Sequence, residues 1–223
     1  MEGHHLLTGC KENGLRQSHH KTVQILLNKI FNDVGLQTTV EQNYCFIQSD
    51  PMNRCRPDIT IHNPQVLHYN HELLIDVSLT SPLEGTQKGE ISNLSVNVAK
   101  TKFRSAANRS NQKLKKYKQL AADNHKSFLP FIIETSGSVF PDSLKILKDT
   151  ARIGAERHQI PYNIYYNFIM KNLSCLIQKS FSNKINYMIK NILIPETLQN
   201  SIQKNINNNV GIDILNIQPH YQT

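Results

Sequence analysis

The sequence predicts an α/β protein in which one mixed sheet is flanked by helices on both sides. Residues 59–61 and 73–80 alternate their side chains in the two-residue period of short strands. Residues 128–135 are almost continuously apolar, which is typical of a strand at the buried centre of a sheet. Helical patterns precede, separate and follow these segments. With a further strand over residues 38–46, the predicted order is helix, strand, strand, strand, helix, strand, helix.

The N-terminal part predicts an irregular arm followed by a helix. Residues 1–17 contain three glycines and no periodicity. His4, His5 and Cys10 in this arm, with His19 and His20 after it, could supply ligands for zinc, but a single cysteine at loose spacing favours solvated histidines, so zinc is not an expected cofactor. Ser18 is expected to cap a helix that runs to about residue 34, with a core-facing stripe of Val23, Leu26, Leu27, Ile30, Phe31 and Val34.

Two aspartates on neighbouring strands form the candidate site. Asp58 is in phase with Thr60, and Asp76 is in phase with Ser78 and Thr80. If the strands pair, both carboxylates meet at one polar edge of an apolar sheet, which suits a hard divalent cation bound through oxygen. The alternative is two ordinary aspartates beside loops. The site is favoured because Asp is disfavoured in strands and an unpaired carboxylate is costly to bury.

A strongly basic helix follows the acidic strands. It is predicted over residues 94–122, with a buried stripe of Phe103, Ala106, Ser110, Leu114, Tyr117 and Ala121. Lysines and arginines cover its other faces. Such a run is most often a solvated surface. Its place directly after the acidic strands nevertheless favours contact with a phosphate backbone.

The remainder of the chain is predicted to be mainly helical. Pro141 opens a helix to about residue 157, and residues 162–192 form one or two more. The chain is therefore divided into an irregular His/Cys arm over 1–17, an α/β core over 18–158, a helical extension over 159–194 and a partly ordered polar tail over 195–223.

Charge and cysteine content narrow the functional classes. Basic residues exceed acidic ones by 25 to 17, a net charge of +8, which favours a polyanionic partner such as nucleic acid. The four cysteines form no paired motif, so reduced thiols in an intracellular protein are expected. No signal-peptide pattern opens the chain, and no window approaches the roughly 20 apolar residues of a membrane span. We expect a protein that is neither secreted nor inserted in a membrane.

Four motifs occur in an order that resembles a known nuclease fold. They are RPDITI at 56–61, IDVSLTSP at 75–82, KLKKY at 113–117 and PFIIETSG at 130–137. This order resembles the PD-(D/E)xK restriction-endonuclease-like fold, in which Pro-Asp is followed by an acidic residue, one further residue and lysine. It is similar to the nuclease-like domain C-terminal to reverse transcriptase in non-LTR retrotransposons, which a His-and-Cys segment also precedes. Ser78 stands where the lysine would be.

The resemblance implies a metal-dependent DNA endonuclease domain derived from a retrotransposon. It puts Lys113 in the place of the missing lysine, with Tyr117 one turn further along the helix and Lys116 as the alternative. Magnesium or manganese would be held by Asp58 and Asp76, together with Glu41 from the preceding strand. The DNA backbone would be bound by Arg104, Arg109, Lys115, Lys116 and Lys118.

Two other functions stay open. A degenerate relative would keep the nuclease fold and bind nucleic acid without cleaving it; Ser78 favours this function, whereas Asp58 and Asp76 favour the enzyme. A structural protein whose aspartates only cap loops is the third candidate. An intracellular, nuclear location is expected, and DNA and a reverse transcriptase portion outside this chain are the expected partners.

Overall fold

The structure, a computed structural model, describes residues 15–42, 56–81 and 101–188. The chain divides into two compact units, Met1–Phe181 and Ser182–Thr223, and the sheet and the site belong to the first. Predictions for residues 1–14, 43–55, 82–100 and 189–223 lie outside the described residues. These include the zinc candidates His5 and Cys10.

Four helices and four strands occur within these ranges, in the predicted order. The first are α1 (Leu15–Asp33), β1 (Thr38–Val40), β2 (Ile59–Ile61) and β3 (Leu73–Thr80), with a short 3-10 helix at Pro64–Leu67. The others are α2 (Arg104–Asp123), β4 (Ser127–Glu134), α3 (Pro141–His158) and α4 (Tyr162–Met188). Across the part of the chain that the structure describes, no helix has the length and apolarity needed to cross a membrane.

Three predicted boundaries are wrong. Helix α1 begins three residues before Ser18, so Ser18 lies in its first turn and does not cap it. Strand β1 is short because Glu41 directly after it adopts a left-handed backbone conformation, with φ of 52°, which a strand cannot accommodate. Phe103 has a φ of 61°, so α2 begins after it and Phe103 is not part of the helical stripe.

The four strands form one mixed sheet in the order β1-β2-β3-β4. The β1–β2 and β2–β3 pairs are antiparallel, whereas β3 and β4 are parallel. The pairing of β2 with β3, which the aspartate argument required, sets Ile59 opposite Ile75 and Ile61 opposite Leu73. The predicted mixed sheet is therefore confirmed.

The apolar sequence of β4 predicted a strand at the centre of the sheet, and this prediction is wrong. Apart from one isolated bridge between Ile133 and Val139, its neighbour in the described sheet is β3 alone. It is apolar because helices cover both of its faces. Pro130 within the strand is the signal for an edge position, since proline cannot donate a ladder hydrogen bond.

Helices pack on both sides of the sheet, as predicted. On one face, Leu27 and Phe31 of α1 and Leu147 of α3 join Ile75 and Phe131 in a single fully buried apolar cluster that also includes residues of α4. On the other face, Ala121 of α2 packs with Leu74 and Phe128. Burial of each large apolar side chain stabilises the fold by about 1.5–3 kcal/mol, and these two layers hold α1 and α2 on opposite sides of β3.

A polar contact ties the end of α1 to the C-terminal helices. The Tyr165 hydroxyl donates to Asp33 at 2.5 Å, and His158 Nε2 lies 3.0 Å from the same carboxylate oxygen. The hydrogen bond from Tyr165 is the main cause that lowers the pKa of Asp33. The ring of Tyr165 lies directly against Gly154 of α3, where a Cβ atom would overlap it.

Replacing this glycine tests the contact. Gly154→Ala should destabilise the protein by about 1–3 kcal/mol in urea unfolding, because the Tyr165 ring is held by Asp33 and cannot yield freely. In an ordinary helix interior the same change stabilises by about 1 kcal/mol. Glu156→Ala, at an exposed position of the same helix, is the control and should change stability by less than about 0.5 kcal/mol. A stabilised Gly154→Ala variant would contradict the packing.

Candidate functional site

Strand β3 continues past Ile75, the residue opposite the start of β2, and the candidate site lies there. The backbone N–H of Asp58 donates to the carbonyl of Ile75 at 3.0 Å, although the pairing of β2 with β3 sets Ile59, and not Asp58, opposite Ile75. The pairing of Ile59 with Ile75, continued past the start of β2, would set Pro57 opposite Val77, and proline has no N–H to donate to the Val77 carbonyl. Residues 57 and 58 lie outside β2, so the N–H and the carbonyl of Val77 take side chains as partners.

Asp58 and His20 supply these partners. Asp58 Oδ2 accepts the Val77 N–H at 2.6 Å, and His20 Nε2 lies 3.0 Å from the Val77 carbonyl oxygen. Because a carbonyl oxygen only accepts, Nε2 must carry a proton. It also lies 3.0 Å from Asp58 Oδ2, and this hydrogen bond is the main cause that raises the pKa of His20. The three residues form a closed set of hydrogen bonds, the Asp58–His20–Val77 triangle.

Asp76 is more buried, and its partner comes from the opposite side of the sheet. Lys113 of α2 donates to Asp76 Oδ1 at 2.8 Å, and Ser78 Oγ lies 3.3 Å from Oδ2. Burial raises the pKa of Asp76, and the Lys113 ammonium partly offsets that effect. The side chains of Asp76 and Lys113 are only 13% and 19% exposed. Each charge is therefore largely desolvated and depends on the other.

These side chains line one pocket of about 760 Å³ between the N-terminal part of α1, the strand ends and α2. Of the predicted site residues, the structure brings Asp58, Asp76, Lys113, Glu41 and Arg109 together in it. The described lining residues are Ser18, His20, Lys21, Glu41, Arg56, Asp58, Asp76, Val77, Ser78, Leu79, Arg109 and Lys113.

Glu41 lies on the rim of the pocket with two cationic partners. Its carboxylate is 2.7 Å from Lys21 Nζ and 3.3 Å from an Arg56 guanidinium nitrogen. The hydrogen bond from Lys21 is the main cause that lowers the pKa of Glu41. The left-handed turn at Glu41 is stabilised by its own N–H, which donates to the Asp58 carbonyl at 3.0 Å. Glu41 is therefore linked to the Asp58 backbone.

Other predicted residues lie outside the pocket wall. The Tyr117 ring packs on Phe128, with 5.3 Å between the ring centroids. Lys113 Nζ lies 5.6 Å and Lys116 Nζ 4.8 Å from the centroid of the Tyr117 ring. Tyr117 thus supports Lys113 from the side. The exposed cations on α2 that do not line the pocket are Arg104, Lys115, Lys116 and Lys118.

Sequence reasoning missed the contribution of α1 to the site. His20 contacts Asp58, Lys21 contacts Glu41, and Gln24 Nε2 donates to the Asp58 carbonyl at 2.6 Å. Gln24 is fully buried. One signal was available: His20 and Gln24 are one turn apart and continue the apolar stripe of α1, where polar residues need a specific partner.

The donor set of the pocket suits a hard divalent cation. Magnesium typically uses one or two protein carboxylates and completes its shell with water and phosphate oxygens. Asp58 and Asp76 provide two carboxylates, and a cation would also compensate the burial that raises the pKa of Asp76. Within residues 15–42, 56–81 and 101–188, no group of three or more His, Cys, Asp or Glu side chains is arranged to hold a metal ion.

The fold and the pocket together define the class: an α/β protein with a mixed sheet, and a cleft in which carboxylates, Asp76 among them buried, face basic side chains. No protein-family model and no curated protein matches the chain.

Breaking the Asp76–Lys113 pair with Lys113→Ala should destabilise the protein by an amount that depends on pH. Removing the ammonium leaves a buried carboxylate without its cation, which should cost about 2 kcal/mol at pH 7. It also raises the pKa of Asp76 further above its unfolded value. The loss is thus largest at neutral pH and shrinks as the pH falls through the folded-state pKa and the carboxyl is protonated.

Urea unfolding of the wild type and the variant between pH 4 and pH 8 measures this effect. Asp76→Asn combined with Lys113→Ala is the control, because it has no buried charge at either position. Its stability difference from the wild type should vary less with pH than that of Lys113→Ala. A pH-independent loss in Lys113→Ala would contradict the buried pair.

Proposed function

We propose that this protein is a metal-dependent DNA endonuclease domain that hydrolyses phosphodiester bonds and derives from a retrotransposon. One observation carries the proposal: Asp58 and Asp76 line the same pocket as Lys113, whose Nζ is 2.8 Å from Asp76. Two carboxylates beside a lysine are the group that the resemblance to PD-(D/E)xK nucleases requires. The helix, three strands, helix and strand that carry them occur in the order of that family.

The carboxylates of Asp58 and Asp76 would hold Mg²⁺ or Mn²⁺. When bound, such an ion supplies Lewis-acid activation of water and neutralises charge at the scissile phosphate. Glu41 lines the same pocket but is paired with Lys21 and Arg56. We therefore assign Glu41 to the rim of the pocket, where it pairs with the side chains of Lys21 and Arg56. The metal ion is assigned to the two aspartates alone.

Lys113 replaces the lysine that position 78 lacks. Its ammonium reaches Asp76 from α2 and projects into the pocket beside Ser78. In that place it can orient a water molecule for attack and stabilise negative charge that develops on the phosphate. The Tyr117 ring, 5.6 Å from Nζ, limits the directions the lysine can take.

Basic side chains around the pocket would hold the DNA backbone. Lys21, Arg56 and Arg109 line it, and the exposed cations of α2 extend the positive surface along the helix. Such contacts to phosphate position the duplex without reading its sequence. These phosphate contacts fit a nuclease whose sequence specificity comes from other parts of a larger protein, such as a reverse transcriptase portion.

The second candidate is a nucleic-acid-binding protein that has lost cleavage. One observation favours it: Asp76 Oδ1 is already paired with Lys113, so a metal ion must share or displace that contact. Serine at position 78 points in the same direction. This candidate keeps the basic surface and predicts salt-dependent DNA binding without hydrolysis.

Plasmid nicking separates the two candidates. Wild-type protein should nick supercoiled plasmid with Mg²⁺ or Mn²⁺ and should not do so in EDTA. Asp58→Asn and Asp76→Asn should each reduce the rate by about a hundredfold or more, because a lost metal ligand removes several kcal/mol of transition-state stabilisation. Asp123→Asn, at the exposed end of α2, should leave the rate unchanged.

DNA affinity is measured on the same variants. Both asparagine variants should still bind DNA, since each substitution removes a negative charge from a basic surface. Wild-type binding without nicking would favour the second candidate, and nicking by the two variants at the wild-type rate would reject the proposed site.

Moving the lysine tests its assignment. Lys113→Ala should slow nicking about a hundredfold, and adding Ser78→Lys should restore part of the rate. Residue 78 lies on the same face of β3 as Asp76, two positions further on, so a lysine there can reach the same carboxylate. Lys116→Ala is the control for the alternative lysine. A large loss in Lys116→Ala, with none in Lys113→Ala, would reassign the role.

A further inference from the structure

We infer that His20 is a positioning residue: it orients the Asp58 carboxylate so that one oxygen is presented to the metal and substrate. The inference rests on the proposed function and adds a residue of α1 to the site. Its chemical basis is the Asp58–His20–Val77 triangle, in which each hydrogen bond restricts the others. His20 itself does not touch the reacting atoms.

Two of the three hydrogen bonds of the triangle are accepted by Asp58 Oδ2, and the third is accepted by the carbonyl of Val77. Oδ2 accepts from the Val77 N–H at 2.6 Å and from His20 Nε2 at 3.0 Å. Among the residues that the structure describes, Oδ1 has no hydrogen-bond donor. The carboxylate therefore has one oxygen held by the protein and one available for a cation. Two donors on the same oxygen fix its rotation as well as its place.

The tautomer of His20 excludes direct metal ligation through Nε2. Nε2 carries its proton toward the Val77 carbonyl oxygen, also at 3.0 Å, so this nitrogen has no lone pair to offer. The histidine acts instead as a donor shared between a backbone acceptor and a carboxylate. Such a shared donor keeps the Asp58 carboxylate beside the β3 backbone at Val77, which has no partner in β2.

Helix α1 is itself held firmly enough to position this donor. His19 is buried, and its Nε2 lies 2.7 Å from the Ser180 carbonyl oxygen. One turn after His20, the buried Gln24 donates to the Asp58 carbonyl at 2.6 Å. The helix thus holds Asp58 at its backbone and at its side chain, which are two separate points.

The expected consequence is a loss of metal affinity when the donor is removed. His20→Ala should weaken Mn²⁺ binding by about 10–100-fold, as expected for the hydrogen-bond partner of a metal ligand. Nicking should fall in proportion at low Mn²⁺ and recover as Mn²⁺ is raised, whereas DNA affinity should stay unchanged. His20→Gln, whose side-chain amide retains a donor, should recover most of the Mn²⁺ affinity.

Three measurements test this: Mn²⁺ binding followed by electron paramagnetic resonance of the free ion, nicking rates against Mn²⁺ concentration, and hydrogen exchange of the Val77 amide by NMR. Faster Val77 exchange in His20→Ala than in the wild type is expected, because Asp58 loses one of its restraints. His71→Ala, an exposed histidine that does not line the pocket, is the matched control.

Failure of the inference and failure of the proposed function give different results. Unchanged Mn²⁺ affinity and unchanged Val77 exchange in His20→Ala would overturn the positioning role while leaving the nuclease intact. An equal loss in His20→Gln and His20→Ala would overturn the hydrogen-bond basis. If the wild type neither binds Mn²⁺ nor nicks DNA, the proposed function fails, and unchanged Val77 exchange would then overturn the triangle as well.

Discussion

The peptide group of Val77 is the point on which the site depends. Strand β2 begins at Ile59, opposite Ile75, and no residue of β2 lies opposite Val77 further along β3, so the N–H and the carbonyl of Val77 lack the backbone partners that β2 would normally supply. Leaving either group buried and unpaired would cost about 1–3 kcal/mol. Asp58 and His20 satisfy them instead, at 2.6 and 3.0 Å. The end of the sheet is thereby stabilised by the same carboxylate that faces the pocket.

A second constraint is the balance of charge within the pocket. Each acidic side chain has a basic partner: Asp58 has His20, Asp76 has Lys113, and Glu41 has Lys21 and Arg56. Such pairing allows three carboxylates to share one cleft without strong mutual repulsion. Binding of a metal ion and a polyanion would exchange one of these pairs: the metal ion would take the Asp76 carboxylate and a phosphate would take the Lys113 ammonium, while His20 keeps Asp58 in place. The resting pairs are therefore compatible with both proposed ligands.

Much of the fold could be predicted because periodicity reports which face of an element is buried. The stripe in α1 predicted the face that this helix buries, and β2 and β3 pair as the aspartate argument assumed. Both faces of β2 and β3 are buried, however, so the alternation in these strands did not mark an exposed face. Predictions were wrong where a single residue or the wider topology decided. The left-handed turn at Glu41 shortened β1, and β4 is apolar through its helical cover although it lies at an edge.

The sequence by itself determined the two aspartates, their shared edge and a basic helix, since alternation, composition and motif order are local properties. The resemblance put forward Lys113 with Lys116 as the alternative, and only the tertiary structure showed that Lys113 reaches Asp76 and that His20 reaches Asp58. Lys113 approaches Asp76 from one side of the sheet and His20 approaches Asp58 from the other, although 37 and 38 residues separate them in the chain. Periodicity specifies the face that an element buries. It does not specify how far along its neighbour the element packs, and that offset brings Lys113 and His20 to adjacent residues of β3, Asp76 and Val77.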